Sequence, residues 1–151
     1  MELTEDIEGD VGALDVEAME QVRAEFARLD GLVKAAEFDS LIDPRVVRVT
    51  LGDGIGSASW CRFDVRWYRG GFYNVHHVDE EGVNFRYDHH PKTDAPDRHF
   101  HPSPDAPSDD AVRSCIRVEE PTLVTRAVHS LWRRAYSKDS LQSLNAAENP
   151  P

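Results

Sequence analysis

The histidines of this chain are unevenly distributed, and their positions indicate a chemical site. Six of the seven fall within 26 consecutive residues of the sequence. They form three groups, which are His76-His77, His89-His90 and His99-x-His101. Histidine changes its charge near neutral pH and is also the commonest metal ligand in proteins. A cluster of this density predicts a metal-free acid–base site, a metal site or a solvated loop.

An acid–base site of this composition suits the cleavage of RNA. The reaction needs a base for the 2′-OH proton, an acid for the leaving 5′ oxygen, and cations for the charge that develops on the phosphate. On this interpretation His99 and His101 are the acid–base pair. Arg86 grips and stabilises the phosphate, and Asp88 orients a histidine. This chemistry requires no cofactor.

Other side chains near the cluster are candidates for binding the RNA substrate. The candidates are Trp60, Arg62, Arg66, Tyr68, His89 and His90. The arginines can hold phosphates, and exposed aromatic rings can stack on unpaired bases. Exposed aromatic rings can equally form an oligomer contact, so that a homodimer stays open as an alternative.

The same histidines also allow a metal site. On an extended segment, His99 and His101 point to the same side and can chelate zinc or iron through two imidazoles. His89, His90 or Asp88 would supply a third ligand, and we take His89 for the zinc alternative. The sequence lacks an HExxH motif and the spaced glutamate and glycines of a cupin box. A metal-binding or regulatory interaction module is therefore the alternative function.

Apolar periodicity predicts the elements that position these residues. A stripe with spacings of three and four predicts a helix of about 20 residues within residues 16–38. Alternating patterns predict strands at 57–68 and 83–88, β-branched residues predict one at 45–51, and a turn at residues 69–71 predicts a returning strand at 72–78. A short strand is predicted at 114–118. Five prolines between residues 89 and 110 predict a long loop. A helix with Pro121 in its first turn follows.

These elements predict an α+β fold. An antiparallel sheet of four to five strands would have the N-terminal and the C-terminal helix packed on one face. The domain would span residues 15–137, between a disordered acidic arm at 1–14 and a disordered tail at 138–151. The opposite face of the sheet would carry Arg62, Asp64, Arg66, Arg86 and Asp88 beside the histidine loop.

Composition limits the class of protein. The chain has 151 residues, a net charge of −11, and only three lysines beside fourteen arginines. This balance is typical of a salt-loving cytoplasm, where salt screens the self-repulsion of acidic surfaces. No apolar run is long enough to span a membrane and the N-terminus is acidic, so we expect a cytoplasmic protein. Cys61 and Cys115 lie in apolar runs and are predicted to be reduced core residues.

The run FRYDHHPKTDAPDRHFHP, followed by a strand and a helix that ends in LWRRAY, resembles TumE-like toxins of toxin–antitoxin systems, in a salt-loving archaeal form. The resemblance covers roughly residues 45–137. It implies a ribonuclease-type toxin that is neutralised by a small DNA-binding antitoxin. Carried over by motif, it implicates Arg86 and Asp88 at the strand end and His99 and His101 after it.

A third interpretation is a binding-only partner of a DNA-binding protein. The contact surface would then be the basic end of the last helix, with Arg126, Arg133 and Arg134. RNA cleavage would separate a toxin from such a partner.

Overall fold

The computed structural model describes residues 12–90, 98–106 and 110–146. It contains two helices and one antiparallel sheet, whose seven strands lie side by side in chain order. The elements are α1 (Val16–Leu29), β1 (Val33–Phe38), β2 (Val47–Leu51), β3 (Cys61–Trp67), β4 (Tyr73–Asp79), β5 (Asn84–His89), β6 (Arg98–His101), β7 (Val112–Arg113) and α2 (Pro121–Lys138). The predicted α+β class is confirmed, but the prediction of four to five strands is wrong because the sheet has seven.

Both helices pack on one face of the sheet, where the core lies. On β3 every second side chain is buried, beginning at Cys61 and ending at Trp67, as the alternating pattern predicts. The ring of Phe63 stacks on Phe26 of α1 at 5.2 Å and meets Trp132 of α2 edge-on at 6.5 Å. Cys61 is buried in this core, and burial raises the pKa of its thiol to about 12.

The N-terminal helix is shorter than predicted. It ends at Leu29, and residues 33–38 form the edge strand β1 instead of further helical turns. Asp30 is extended and its carboxylate accepts a hydrogen bond from the Leu32 backbone N–H at 2.9 Å, so that Asp30-Gly31 makes a turn. Val33 and Ala36 continue the spacing of three, and this short apolar pattern fits a strand as well as a helix.

The predicted loop between residues 89 and 110 contains a strand. Arg98–His101 forms β6, which pairs with β5 on one side and β7 on the other. Phe100 is buried in the core, whereas its neighbours on either side in the chain point to the other face. The strand predicted at 114–118 lies slightly earlier, at Val112–Arg113. The prolines around β6 predict a loop. A strand of four residues has too little periodicity to indicate otherwise.

The C-terminal helix begins with Pro121 in its first turn, as predicted. Its buried stripe runs from Val124 to Ala135, and it ends where Asp139 adopts a left-handed backbone conformation with φ of 56°. Within the described residues, neither helix has the length and apolarity needed to cross a membrane.

The described chain extends a little beyond the predicted domain at each end. Leu14 forms a bridge with Tyr68, and Leu144 is buried where its carbonyl accepts a hydrogen bond from the Tyr87 hydroxyl. Residues 1–11 and 147–151, where most of the predicted arm and part of the predicted tail fall, lie outside the described residues. The division into arm, domain and tail stays a prediction.

Candidate active site

The sheet face opposite the helices carries polar side chains, and we call it the polar face. Directly paired residues on neighbouring strands point to the same side of a sheet. Two rows of such partners cross this face. The first is Asp64, His76, Arg86 and His101, and the second is Asn74, Asp88, His99 and Arg113. By the same register the polar face also carries Glu37, Arg48, Thr50, Arg62, Arg66, Val78 and Asn84.

Asp88 lies at the centre of the contacts on this face. Its Oδ2 is 2.9 Å from Arg86 Nε, 3.0 Å from His101 Nε2 and 3.5 Å from His90 Nε2. Its second oxygen, Oδ1, has no hydrogen-bond partner in the described part of the chain. We call Arg86, Asp88, His90, His99 and His101 the Asp88 cluster, and all five side chains are buried. The structure thus brings the four predicted catalytic residues together.

The surroundings of Asp88 keep it ionised. Burial by itself raises the pKa of a carboxyl group, because the charged form loses its hydration. Hydrogen bonds from His101 and His90 and the positive charge of Arg86 outweigh that effect, and they hold the pKa of Asp88 well below its usual range. The cluster therefore contains a fixed negative charge at neutral pH, which can orient a histidine.

The contacts of His101 select one of its tautomers. Its Nε2 lies 3.0 Å from Asp88 Oδ2 and 3.2 Å from Arg86 Nη2. A guanidinium can only donate and a carboxylate can only accept, so this nitrogen satisfies one neighbour at a time. The shorter distance and the charge of the carboxylate favour an Nε2–H that donates to Asp88. His101 is then held by Asp88 through Nε2.

Three imidazole rings meet beside Asp88. The rings of His90 and His99 have centroids 4.6 Å apart, and those of His99 and His101 are 5.5 Å apart. His90, predicted as a substrate-binding residue, thus lies within the Asp88 cluster. His99 and His101 are on β6 and not in a solvated loop, because β6 pairs with β5 and places them opposite Asp88 and Arg86.

The two arginines predicted to bind substrate lie on β3, away from the Asp88 cluster. Arg62 donates to Asp64 at 2.9 and 3.2 Å and is 37% exposed. Arg66 pairs with Asn74, which pairs with Asp88, so that Arg66 is two strands, or roughly 10 Å, from Asp88. Both arginines remain on the polar face, but β4 lies between their strand and the Asp88 cluster.

The two aromatic candidates do not form one stacking platform. Trp60 precedes β3 and Tyr68 follows it, which separates them by roughly 26 Å at the rise of an extended strand. Tyr68 is half-buried beside Leu14, and burial raises the pKa of its hydroxyl. Trp60 is 37% exposed. A single base could stack on Trp60, but the pair cannot hold neighbouring bases.

His89 lies on the core side of β5 and is therefore separated from the cluster. Its ring meets Phe72 and Tyr73 edge-on at 5.0 and 5.7 Å, on the face opposite Asp88. The alternation of side chains along a strand explains the separation, because His89 follows Asp88 directly. His89 therefore lies apart from His99 and His101, the other two ligands of the zinc alternative.

The charge of Arg86 is unfavourable for a metal ion in the cluster. A cation at Asp88 Oδ2 and His101 Nε2 would face a guanidinium that already lies within 3.2 Å of both atoms. Among the described residues no group of three or more His, Cys, Asp or Glu side chains is arranged to hold a metal ion. The zinc alternative stays a prediction.

Sequence reasoning missed two members of the site. His76 pairs with Arg86 on the polar face, and its Nε2 is 3.1 Å from Asn84 Oδ1. Burial lowers the pKa of His76, and the nearby charge of Arg86 lowers it further. Asn74 is buried and pairs with Asp88. The alternation of β4 could have revealed both, since Asn74 and His76 are two residues apart and share a face.

A comparison with protein-family models matches residues 23–138 to the family described as Toxin TumE. Searches of curated proteins and of solved structures found no match. The matched range extends from the second turn of α1 to the end of α2 and includes the whole polar face. Because the family model covers most of the chain, this protein belongs to the TumE toxin family.

Proposed function

We propose that this toxin is a metal-independent endoribonuclease that uses histidine acid–base catalysis. The observation that carries the proposal is the contact of one ionised carboxylate with a histidine and an arginine, at Asp88, His101 and Arg86. A histidine oriented by a carboxylate is a recurrent general base and acid. An arginine beside it supplies the positive charge that the transition state requires.

The geometry supports one assignment of roles. His101, held by Asp88 through Nε2, exchanges a proton with the RNA through Nδ1. His99, with its ring 5.5 Å from that of His101, is the second member of the pair. One histidine takes the 2′-OH proton as the 2′ oxygen bonds to phosphorus, and the other protonates the 5′ oxygen as its bond to phosphorus breaks. Arg86 stabilises the charge on the phosphate oxygens.

Burial adds a requirement to this mechanism. His99 and His101 have no exposed surface in the structure, so RNA can reach them only when the chain around them moves. A buried network of arginine, aspartate and histidine can also serve folding alone. Activity must therefore be measured on variants whose folding is verified separately.

The proposed partners are RNA and a small DNA-binding antitoxin. Membership of a toxin family implies an antitoxin that neutralises it. The arginines of the polar face support RNA as the substrate, because their charge matches the phosphate backbone.

His101→Asn tests the proposed role most simply. Asparagine is polar and similar in shape to the near half of the imidazole, but it cannot exchange protons near neutral pH. We expect RNA cleavage by the purified protein to fall by a factor of about 10² or more, and growth arrest without antitoxin to disappear. Circular dichroism would establish that the variant is folded.

The matched control is His129→Asn. His129 also places its Nε2 near a carboxylate, 2.9 Å from Asp30, but it lies on α2 in the helix layer. This control should retain cleavage and growth arrest. A folded His101→Asn protein that still cleaves RNA at the wild-type rate would show that the assigned role is wrong.

A further inference from the structure

A second group of arginines surrounds a cavity beside the last two strands. The cavity has a volume of about 270 Å³ and is lined by Arg98, Arg113, Ser114, Ile116 and Arg117. Ser114 and Ile116 are buried and form its floor, whereas the side chains of Arg113 and Arg117 are exposed. We call this cavity the arginine pocket.

The arginine pocket has an excess of positive charge. No acidic residue is among its described lining residues. Arg98 donates to Glu119 at 3.2 Å, but that carboxylate is 77% exposed, and the buried Nε of Arg98 has no partner in the described chain. Neither Arg113 nor Arg117 makes a side-chain ion pair with another described residue. Three guanidinium groups around one cavity favour an anion with several oxygen atoms.

The position of the pocket indicates which anion it receives. Arg113 is the direct cross-strand partner of His99 and continues its row, whereas Arg98 pairs with His89 and reaches the same edge of the sheet from the other face. The pocket therefore adjoins the end of the row that contains Asp88 and His99. An RNA strand with one phosphate at the Asp88 cluster would bring a flanking phosphate to this edge of the sheet.

We propose that the arginine pocket binds a phosphate of the RNA strand next to the phosphate that is cleaved. The inference rests on the proposed ribonuclease function, but binding can be measured without cleavage. A 2′-O-methyl oligonucleotide suits this purpose, because its blocked 2′ oxygen cannot attack phosphorus.

The experiment compares the affinity of four proteins for a short single-stranded 2′-O-methyl oligonucleotide. These are the wild type, the double variant Arg113→Ala/Arg117→Ala, the variant Glu119→Gln, and the control Arg45→Ala. Arg45 is an exposed arginine whose ion pair with Asp43 lies on the β1–β2 connection, far from the pocket along the sheet. It controls for the general loss of positive charge.

We expect the double variant to bind at least tenfold more weakly, with a smaller dependence of affinity on salt because fewer counterions are released. Glu119→Gln should bind a few times more tightly, because it removes the carboxylate that competes for Arg98. Arg45→Ala should bind like the wild type. Equal affinity of the double variant and the wild type would overturn the proposal.

A glutamate-rich peptide of the same net charge separates RNA phosphate from protein carboxylates. If the double variant loses affinity for the peptide and keeps its affinity for the oligonucleotide, the pocket is a protein-binding site and the proposal is wrong. A wild-type protein that binds the oligonucleotide through the pocket but cleaves no RNA would contradict the proposed function and leave the pocket assignment intact.

Discussion

The carboxylate of Asp88 must stay charged inside the protein, and the groups around it explain how it does so. Its folded-state pKa lies below the value of about 4 in an unfolded chain. Its contacts therefore stabilise the fold above that pH, and this contribution is lost as the pH falls through the folded-state pKa. Arg86 and His101 thus contribute to stability as well as to the proposed chemistry.

His77 shows that adjacent histidines can have unrelated roles. His76 lies on the polar face, whereas His77 is in the core, where its ring stacks on Phe85 at 4.3 Å and meets Phe63 edge-on at 5.3 Å. Burial lowers the pKa of His77 to about 3. This histidine acts as a buried aromatic residue that stays neutral.

The burial of His77 predicts a pH dependence of stability. Its folded-state pKa lies below the unfolded value of about 6.5, so the fold is stabilised above pH 6.5 and loses that stability as the pH falls towards 3. Between pH 7 and pH 5 we expect this residue to reduce the free energy of unfolding by about 2 kcal/mol. Replacing His77 with phenylalanine should remove that part of the pH dependence.

The measurement is denaturant unfolding of the wild type and His77→Phe at pH 7 and pH 5. The difference in unfolding free energy between the two proteins should shift by about 2 kcal/mol in favour of the variant at the lower pH. A difference that is the same at both values would contradict the assignment of a neutral, buried His77.

At the level of secondary structure, the Asp88 cluster depends on the formation of β6. This strand of four residues places Phe100 in the core and two histidines opposite β5. The proline-rich composition around it predicts a loop, and four residues are too few to reveal a period of two. Only pairing with β5 and burial of Phe100 identify the strand, and neither is visible in the sequence.

Phe100 should anchor β6. Its ring lies 5.0 Å from that of Tyr87 and 6.1 Å from that of Phe85, and it is 5% exposed. Phe100→Ala leaves a cavity and should cost about 3–5 kcal/mol of unfolding free energy. Denaturant unfolding checks this, and RNA cleavage should fall as well because β6 carries His99 and His101.

The matched control is Val112→Ala on the neighbouring strand. Val112 pairs with Phe100 but is half exposed, so its truncation should change the unfolding free energy by about 0.5 kcal/mol or less. If Phe100→Ala is no more destabilising than this control, β6 is not anchored through its aromatic residue.

The first helix illustrates a different limit of sequence reasoning. Residues 33–38 continue the apolar spacing of α1, yet they form β1 because Asp30-Gly31 turns the chain. The turn residues were visible in the sequence. A single Asp-Gly pair can interrupt a short apolar pattern that periodicity alone assigns to one helix.

In the molecule as a whole, the positions of the charged residues are more informative than the net charge. The chain carries a net charge of −11, but arginines gather on the polar face and at the arginine pocket. Acidic residues such as Glu17 and Glu20 lie on α1, on the opposite side of the sheet. An acidic chain can therefore still carry local groups of positive charge.

The sequence predicted the α+β class, the alternating faces of β3 and β5, the C-terminal helix and the family. It also named four residues that the structure brings together. It could not predict that His99 and His101 lie opposite Asp88 and Arg86, because that depends on the register between β5 and β6. His89 and His90 are adjacent in the chain, yet one meets Phe72 and the other meets Asp88.

The central claim is that this toxin cleaves RNA through its 2′-OH without a metal ion. The most direct measurement is cleavage by the purified protein in excess chelator, on an RNA and on the same RNA with a single 2′-deoxy nucleotide at the cut site. We predict cleavage of the RNA, with 2′,3′-cyclic phosphate and 5′-OH ends, and no cleavage at the 2′-deoxy position. Cleavage that stops in chelator and returns with zinc, or that proceeds at the 2′-deoxy position, would contradict the account.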